Sequence, residues 1–305
     1  VLDNLNIVPN FSSPRFMEKY MKNSPVWLLC LFLLSCLQSN AQTRLPKLGV
    51  TSGYRNDAVL HAAGFDYIEG SVSKLLSPDI PEDSFRVFLQ ARQKMGCQIT
   101  TCNSFIPAEI PIVGPNADEK KIITYVDKVM QRAQKAGITM IVLGSGNARK
   151  LPDGLTPEKE NPHFVGICRR IAETAAKYNV VIAIENLNST ETNYINTLSA
   201  ANDIVTAVNH PNFRLTADIY HMLKENEPAL NIEKARKNLV HCHIAEREKR
   251  TAPGVAGDEV RPYIAVLARI SYQGGISVES RWDDMSKEAT PAYQYLHQLI
   301  QELYH

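Results

Sequence analysis

The sequence predicts a single-domain (β/α)8 TIM barrel over residues 45–305, and three observations point there. Short apolar or β-branched runs alternate with amphipathic helices from Leu48 to the end of the chain. Gly or Asn recurs just before the next strand, and no Ser/Gly-rich linker breaks the alternation. The span is close to the ~250 residues that such a barrel usually takes.

Eight strands are read in order at 47–50, 65–68, 98–101, 139–143, 180–184, 213–217, 239–243 and 275–278. Gly64, Gly96, Gly137, Asn179, Asn209, Asn238 and Gly274 are expected to stop the helices between them, because these residues tolerate the left-handed conformation in which helices end. The helix over 118–136 carries an apolar stripe of Ile122, Ile123, Val126, Val129, Met130 and Ala133, with Lys120, Lys128 and Lys135 between. A last helix over 292–303 closes the ring. No GxGxxG follows the first strand, which sets aside a doubly wound open sheet.

Composition narrows the partners. With 44% hydrophobic and 21% charged residues the chain can bury a full core. A net charge of +1 supplies no basic field for a phosphate backbone, so nucleic acid is not an expected partner. Cys97, Cys102, Cys168 and Cys242 show no zinc-ribbon spacing and sit in apolar patterns, so they read as small buried hydrophobes.

The amino terminus reads differently. Met21-Lys22, the apolar run from Val26 to Leu34 and the small or polar residues after it have the grammar of a signal peptide over 21–41. The run is shorter than the ~20 residues that span a bilayer, so no membrane span is expected. Two exits stay open: cleavage after Ala41, toward which the reading leans, and lipidation at Cys36 in a stretch similar to a bacterial lipobox. Either places the protein outside the cytoplasm, periplasmic or lipid-anchored at the cell envelope. Residues 1–20 precede a better start at Met21 and read as an upstream extension outside the fold.

Chemistry in such a barrel stands at the carboxyl ends of the strands. Here those ends are polar: Glu69 on the second strand, Asn103 on the third, Glu185-Asn186 on the fifth, Asp218, His243 and Glu279 on the last three. Three carboxylates converging with one imidazole would repel one another unless a cation sits among them. Glu185, Asp218, His243 and Glu279 are therefore expected to hold one divalent metal, and an oxygen-rich set with one nitrogen suits Mn2+, Mg2+ or Co2+, with Zn2+ also in range. Glu69 and Asn103 are expected to touch a small-molecule substrate. His241, two residues before His243, points to the same interior one layer deeper and reads as a hydrogen-bonded core histidine.

The segments 184–191, 217–221, 241–246 with Pro253-Gly254, and 278–280 resemble the xylose isomerase-like TIM barrel superfamily, most closely in motif its ketose 3-epimerases. The resemblance runs from about Leu48 to Leu303. It implies a carbohydrate substrate, Glu185 and Glu279 as the proton-transferring pair, and Glu191 and His221 as grips on substrate hydroxyls. A substrate-gripping arginine follows the seventh strand in that family. The loop Arg247-Glu248-Lys249-Arg250 is one residue long by comparison, and counting back from Pro253-Gly254 selects Arg250.

The expected activity is sugar isomerisation or epimerisation by removal of a proton alpha to a carbonyl. A lyase or hydratase acting on 3-keto sugars or glycosides would need the same apparatus. A non-catalytic sugar-binding barrel and a phosphodiesterase akin to apurinic-site endonucleases are the remaining alternatives.

Overall fold

A computed structural model describes residues 44–257 and 259–304. The signal segment and the extension before it lie outside the described residues. Eight parallel strands close into a barrel in chain order: β1 (Lys47–Thr51), β2 (Tyr67–Ser71), β3 (Gln98–Asn103), β4 (Met140–Leu143), β5 (Val181–Glu185), β6 (Phe213–Asp218), β7 (Leu239–Ile244) and β8 (Gly275–Val278). The final pairing of β1 with β8 sets Val50 beside Val278 and leaves no open edge.

Ten α-helices accompany the strands among the described residues: α1 (Asp57–Ala63), α2 (Val72–Leu75), α3 (Glu82–Arg92), α4 (Glu119–Lys135), α5 (Pro157–Ala176), α6 (Leu198–Val208), α7 (Ile219–Lys224), α8 (Leu230–Ala235), α9 (Arg261–Arg269) and α10 (Met285–Leu303). The amphipathic stripe of α4 buries Ile122, Val126, Val129, Met130 and Ala133 against the sheet, joined by Tyr125, while Ile123 is half-buried. Asp118 starts this helix by accepting a hydrogen bond from Lys121 N at 3.0 Å. The last helix begins seven residues before the expected start, because Asp284 caps it through Ser286 N and Pro291 is tolerated inside it.

Four of the seven expected stops adopt the left-handed conformation: Gly64, Gly137, Asn179 and Asn209. Gly96, Asn238 and Gly274 do not. A Cβ on Gly274 would lie 2.3 Å from the Tyr272 hydroxyl, and one on Gly96 would lie 2.5 Å from the His61 ring, so close packing explains these two glycines. Asn238 instead donates its side-chain amide to Asn202, and Ser271 takes the left-handed turn after α9.

The barrel interior is not uniformly apolar. Tyr67 crosses its lower part and pairs with Ser277 Oγ at 2.9 Å. Its ring occupies the space where a Cβ on Gly49 or Gly275 would stand, 2.3 and 2.5 Å away. All four described cysteines are buried free thiols, as expected. No helix among the described residues is long and apolar enough to cross a membrane.

Candidate metal centre and active site

The strand ends bring Glu185, Asp218, His243 and Glu279 together, with one ligand atom of each within 4.8 Å of all the others. His243 Nδ1 stands 2.7 Å from Glu185 Oε1, 3.1 Å from Glu279 Oε2 and 3.8 Å from Asp218 Oδ2. A shift of register between β6 and β7 at Leu215/Thr216 sets Asp218 directly beside His243. Glu185, Asp218 and His243 are buried, and the Glu279 side chain, on the rim, is 23% exposed.

Neighbouring groups fix each of these side chains. Asp218 Oδ1 caps α7 by accepting from His221 N at 2.9 Å. Asn186 holds the Asp218 backbone from both sides, accepting from its N–H and donating to its carbonyl. The Glu185 carboxylate fits because Gly144, just after β4, has no side chain: a Cβ there would meet Glu185 Oε2 at 2.4 Å. Arg149 lies fully buried behind β5 and donates to the Glu185 carbonyl at 2.7 Å. Burial lowers its guanidinium to about 10, with the Glu185 charge opposing the shift. The loop from Gly144 to Arg149 thus supports Glu185 through a glycine and a buried cation, a role its sequence did not announce.

The donor set fits a divalent cation. His243 Nε2 is 2.9 Å from Glu69 Oε1, an acceptor, so the ring carries its proton on Nε2 and turns the Nδ1 lone pair toward three carboxylates. That arrangement is stable only with a cation, or a second proton, among them. Burial disfavours the charged ring, yet Glu69, Glu185 and Glu279 together hold His243 well above the usual histidine range. Burial and the Glu185 charge raise the Asp218 carboxyl well above its ordinary value, and its Oδ2 is buried without a hydrogen-bond partner. An orphaned carboxylate oxygen facing an imidazole lone pair is an unmet demand for positive charge.

Two of the expected substrate contacts, Glu69 and Asn103, also position groups of the centre. Glu69 is fully buried, and its oxygens accept from His243, His241 and Ser277 at 2.9, 2.7 and 2.7 Å. Burial alone would raise its pKa, but the two histidines pull it below the usual range. Through these contacts it orients His243 from beneath. His241 sits in the deeper layer, as expected. Asn103 donates to Glu279 Oε1 at 3.0 Å and so aims that carboxylate.

The other three expected substrate contacts surround the centre. His221 accepts from Asn188 N on Nδ1 at 3.0 Å, which leaves Nε2–H as a donor with no partner, 3.6 Å from Asp218 Oδ2 and 3.9 Å from Glu191 Oε2. Burial first, and then the Arg250 charge, lower His221 to about 3, so the ring stays neutral. The Glu191 side chain is 39% exposed, and partial burial raises its carboxyl against the pull of Arg250. Arg250 spans the mouth, donating to Glu279 Oε2 at 2.8 Å and Glu191 Oε1 at 3.2 Å, with its guanidinium 4.5 Å above the Tyr220 ring.

The long loop after β7 is organised by Glu246, to which residue order alone assigns no role. Its buried carboxylate accepts from Thr251 Oγ1 at 2.8 Å and from the N–H groups of Gly254, Ala256 and Gly257 at 2.8, 2.6 and 3.3 Å. Lys249 and Arg250 are both left-handed, at φ 56°, a backbone conformation in which non-glycine residues are strained. Beyond Glu279 a cleft of about 620 Å³ opens over the ends of β1, β2 and β3.

Comparison with known proteins places these features in context. A family model described as the xylose isomerase-like TIM barrel matches residues 58–303. The L-ribulose 3-epimerase of Methylomonas sp. (strain DH-1) is 29% identical over 223 residues, 72% of this chain and 74% of that protein. Among solved structures, the D-psicose 3-epimerase of Clostridium cellulolyticum H10 superposes with a TM-score of 0.74 at 21% identity, covering 83% of this chain and 99% of that one. The 3-keto-D-glucoside 4-epimerase of E. coli superposes at 0.69 with 21% identity and the same coverage.

Proposed function

The chain belongs to the xylose isomerase-like TIM barrel family, and from that premise we propose that it is a metal-dependent sugar epimerase that removes and returns a proton alpha to a carbonyl. The observation that carries this reading is the pair Glu185 and Glu279, standing 2.7 and 3.1 Å from one imidazole nitrogen that faces a cation-suited point. The names of the relatives, sugar 3-epimerases and a keto-glucoside 4-epimerase, agree with it.

Glu185, Asp218, His243 and Glu279 would hold the metal, with Mn2+, Mg2+ or Co2+ the best match and Zn2+ in range. When bound, the cation supplies Lewis-acid polarisation of a carbonyl and an adjacent hydroxyl. The remaining work falls to the chain itself. His221 Nε2–H, already free and aimed inward, donates to a substrate oxygen that gains negative charge. Glu185, backed by Gly144 and Arg149, takes a proton from one face of the substrate carbon. Glu279, aimed by Asn103 and Arg250, delivers one from the other. Glu191 and Arg250 grip hydroxyls farther along the sugar.

In heavy water the enzyme should wash deuterium into the carbon alpha to the carbonyl of a ketose or keto-glycoside. Glu279→Gln keeps an oxygen toward the metal and loses the acid–base group, so turnover should fall by roughly 10²–10⁴. Metal-dependent sugar binding with no exchange in any free or 3-keto sugar would refute the proposal and leave a binding barrel. The proposal includes export, on the strength of the signal-like segment at 21–41. Intact-mass measurement should find a mature chain beginning near Gln42 or at a lipidated Cys36, and a mature chain that keeps Met21 to Leu37 would overturn it.

A further inference from the structure

The cleft over β1, β2 and β3 is larger than the reaction needs. Its volume of about 620 Å³ lies well inside the ~300–1,000 Å³ range of clefts that enclose drug-sized ligands, whereas a free ketohexose has only a dozen heavy atoms. The groups argued above to hold the reacting sugar, Glu185, Glu191, Asp218, His221, His243 and Arg250, stand on strands β5 to β7 or the loops after them. Only Glu279, among the residues assigned to proton transfer, lines the cleft itself. A ketohexose entering the cleft at Glu279 therefore fills only part of this space and leaves room for a further part of the same molecule.

The lining says what that part is. Tyr54, Leu75 and Phe88 form an apolar wall, with the Tyr54 and Phe88 rings 5.6 Å apart, and apolar walls of this kind receive the C–H face of a sugar ring. The Thr51 hydroxyl, in the same lining, is buried with no hydrogen-bond partner among the described residues. Two cations, Arg55 and Lys74, belong to the same lining, both exposed and without an ion-pair partner among the described residues. The acids in the lining do not pair with them. Glu69 is engaged by His241, His243 and Ser277, and Glu279 by Arg250 and Asn103. The cleft thus presents two cations without an acidic partner among the described residues.

We infer that the cleft over β1–β3 is a second subsite, and that the substrate is a keto sugar extended by a further unit bearing an anionic group that faces Arg55 and Lys74. The inference rests on the epimerase reading for its reacting end, but its test does not depend on turnover. A carboxylate, as in a uronic acid, and a phosphate ester share the chemistry that two such cations recognise.

Calorimetric binding to the metal-loaded protein with three non-keto probes separates the outcomes: cellobiose, glucuronosyl-β-1,4-glucose, and cellobiose phosphorylated on its terminal sugar. One or both anionic probes should bind about tenfold or more tightly than cellobiose, since a single charge-assisted contact supplies that factor. The preferred probe identifies the anion. The preference should shrink as salt is raised, and Arg55→Ala with Lys74→Ala should reduce the anionic-to-neutral ratio to about one. Equal affinity for all three probes, or a ratio that survives the double substitution, would overturn the inference. Deuterium exchange into a free ketose tests the chemistry separately, so the two readings fail independently.

Discussion

Asp218→Asn should make the protein more stable without metal and less stable with it. In the metal-free chain Asp218 is a buried carboxyl beside Glu185, with Oδ2 unpartnered. An asparagine keeps the Oδ1 cap on α7 and offers an amide where two carboxylates now face each other. Relieving an unsatisfied buried polar group is worth roughly 1–3 kcal/mol, which for a domain of this size raises Tm by about 2–12 °C. The effect has a defined pH course. Because the folded pKa of Asp218 is raised, its contribution is fully present below the unfolded value near ~3.9 and is lost as pH rises through the folded value. The asparagine advantage should vanish near pH 4 and grow toward neutrality. Metal reverses the order: at about 100 times its Kd it adds ~2.7 kcal/mol to the native protein, whereas a variant lacking one anionic ligand gains less. Scanning calorimetry in chelator and in excess Mn2+ reads both arms. If the variant melts at or below the native protein in chelator, or both gain equally from manganese, the metal centre has been misread.

Glu69→Gln should lower divalent-metal affinity about 10–100-fold by releasing His243 from its orienting acceptor; titration calorimetry showing unchanged affinity would exclude that role. Glu246→Gln sets an amide against hydrogen-bond donors of the loop after β7, at roughly 1–3 kcal/mol, and should cut kcat/KM at least about tenfold by loosening Arg250. Combined with Arg250→Ala it should add little, and steady-state kinetics showing full additivity would mean the two act independently.

Much of this was written in residue order. The strands were legible because each is a short apolar run set between turn residues, and their order fixed which ends share a mouth. The meeting of three acids and one histidine followed from their places on four successive strand ends. What one dimension hid was the partner of each polar residue. Glu69 and Asn103 stand at strand ends, and only the closed barrel shows that they also bond His243 and Glu279. Arg149 sat in a loop that reads as surface, and its burial depends on the wall of β5. The start of α10 was missed because a proline at position 291 resembles a helix opening, whereas the capping aspartate lies seven residues earlier.

The mouth of the barrel is split between two sets of strands. Strands β5 to β8 carry the groups proposed to hold the cation and move the proton, while the loops after β1, β2 and β3 wall the adjoining cleft. Glu279, its partner Asn103 and Glu69 beneath His243 belong to both. Mutational drift in the 52–56 and 71–84 segments can therefore remodel what the enzyme accepts while the proton-handling apparatus stays intact. A scaffold divided in this way is a ready starting point for laboratory evolution, with libraries confined to one side of the barrel and the reaction held constant on the other.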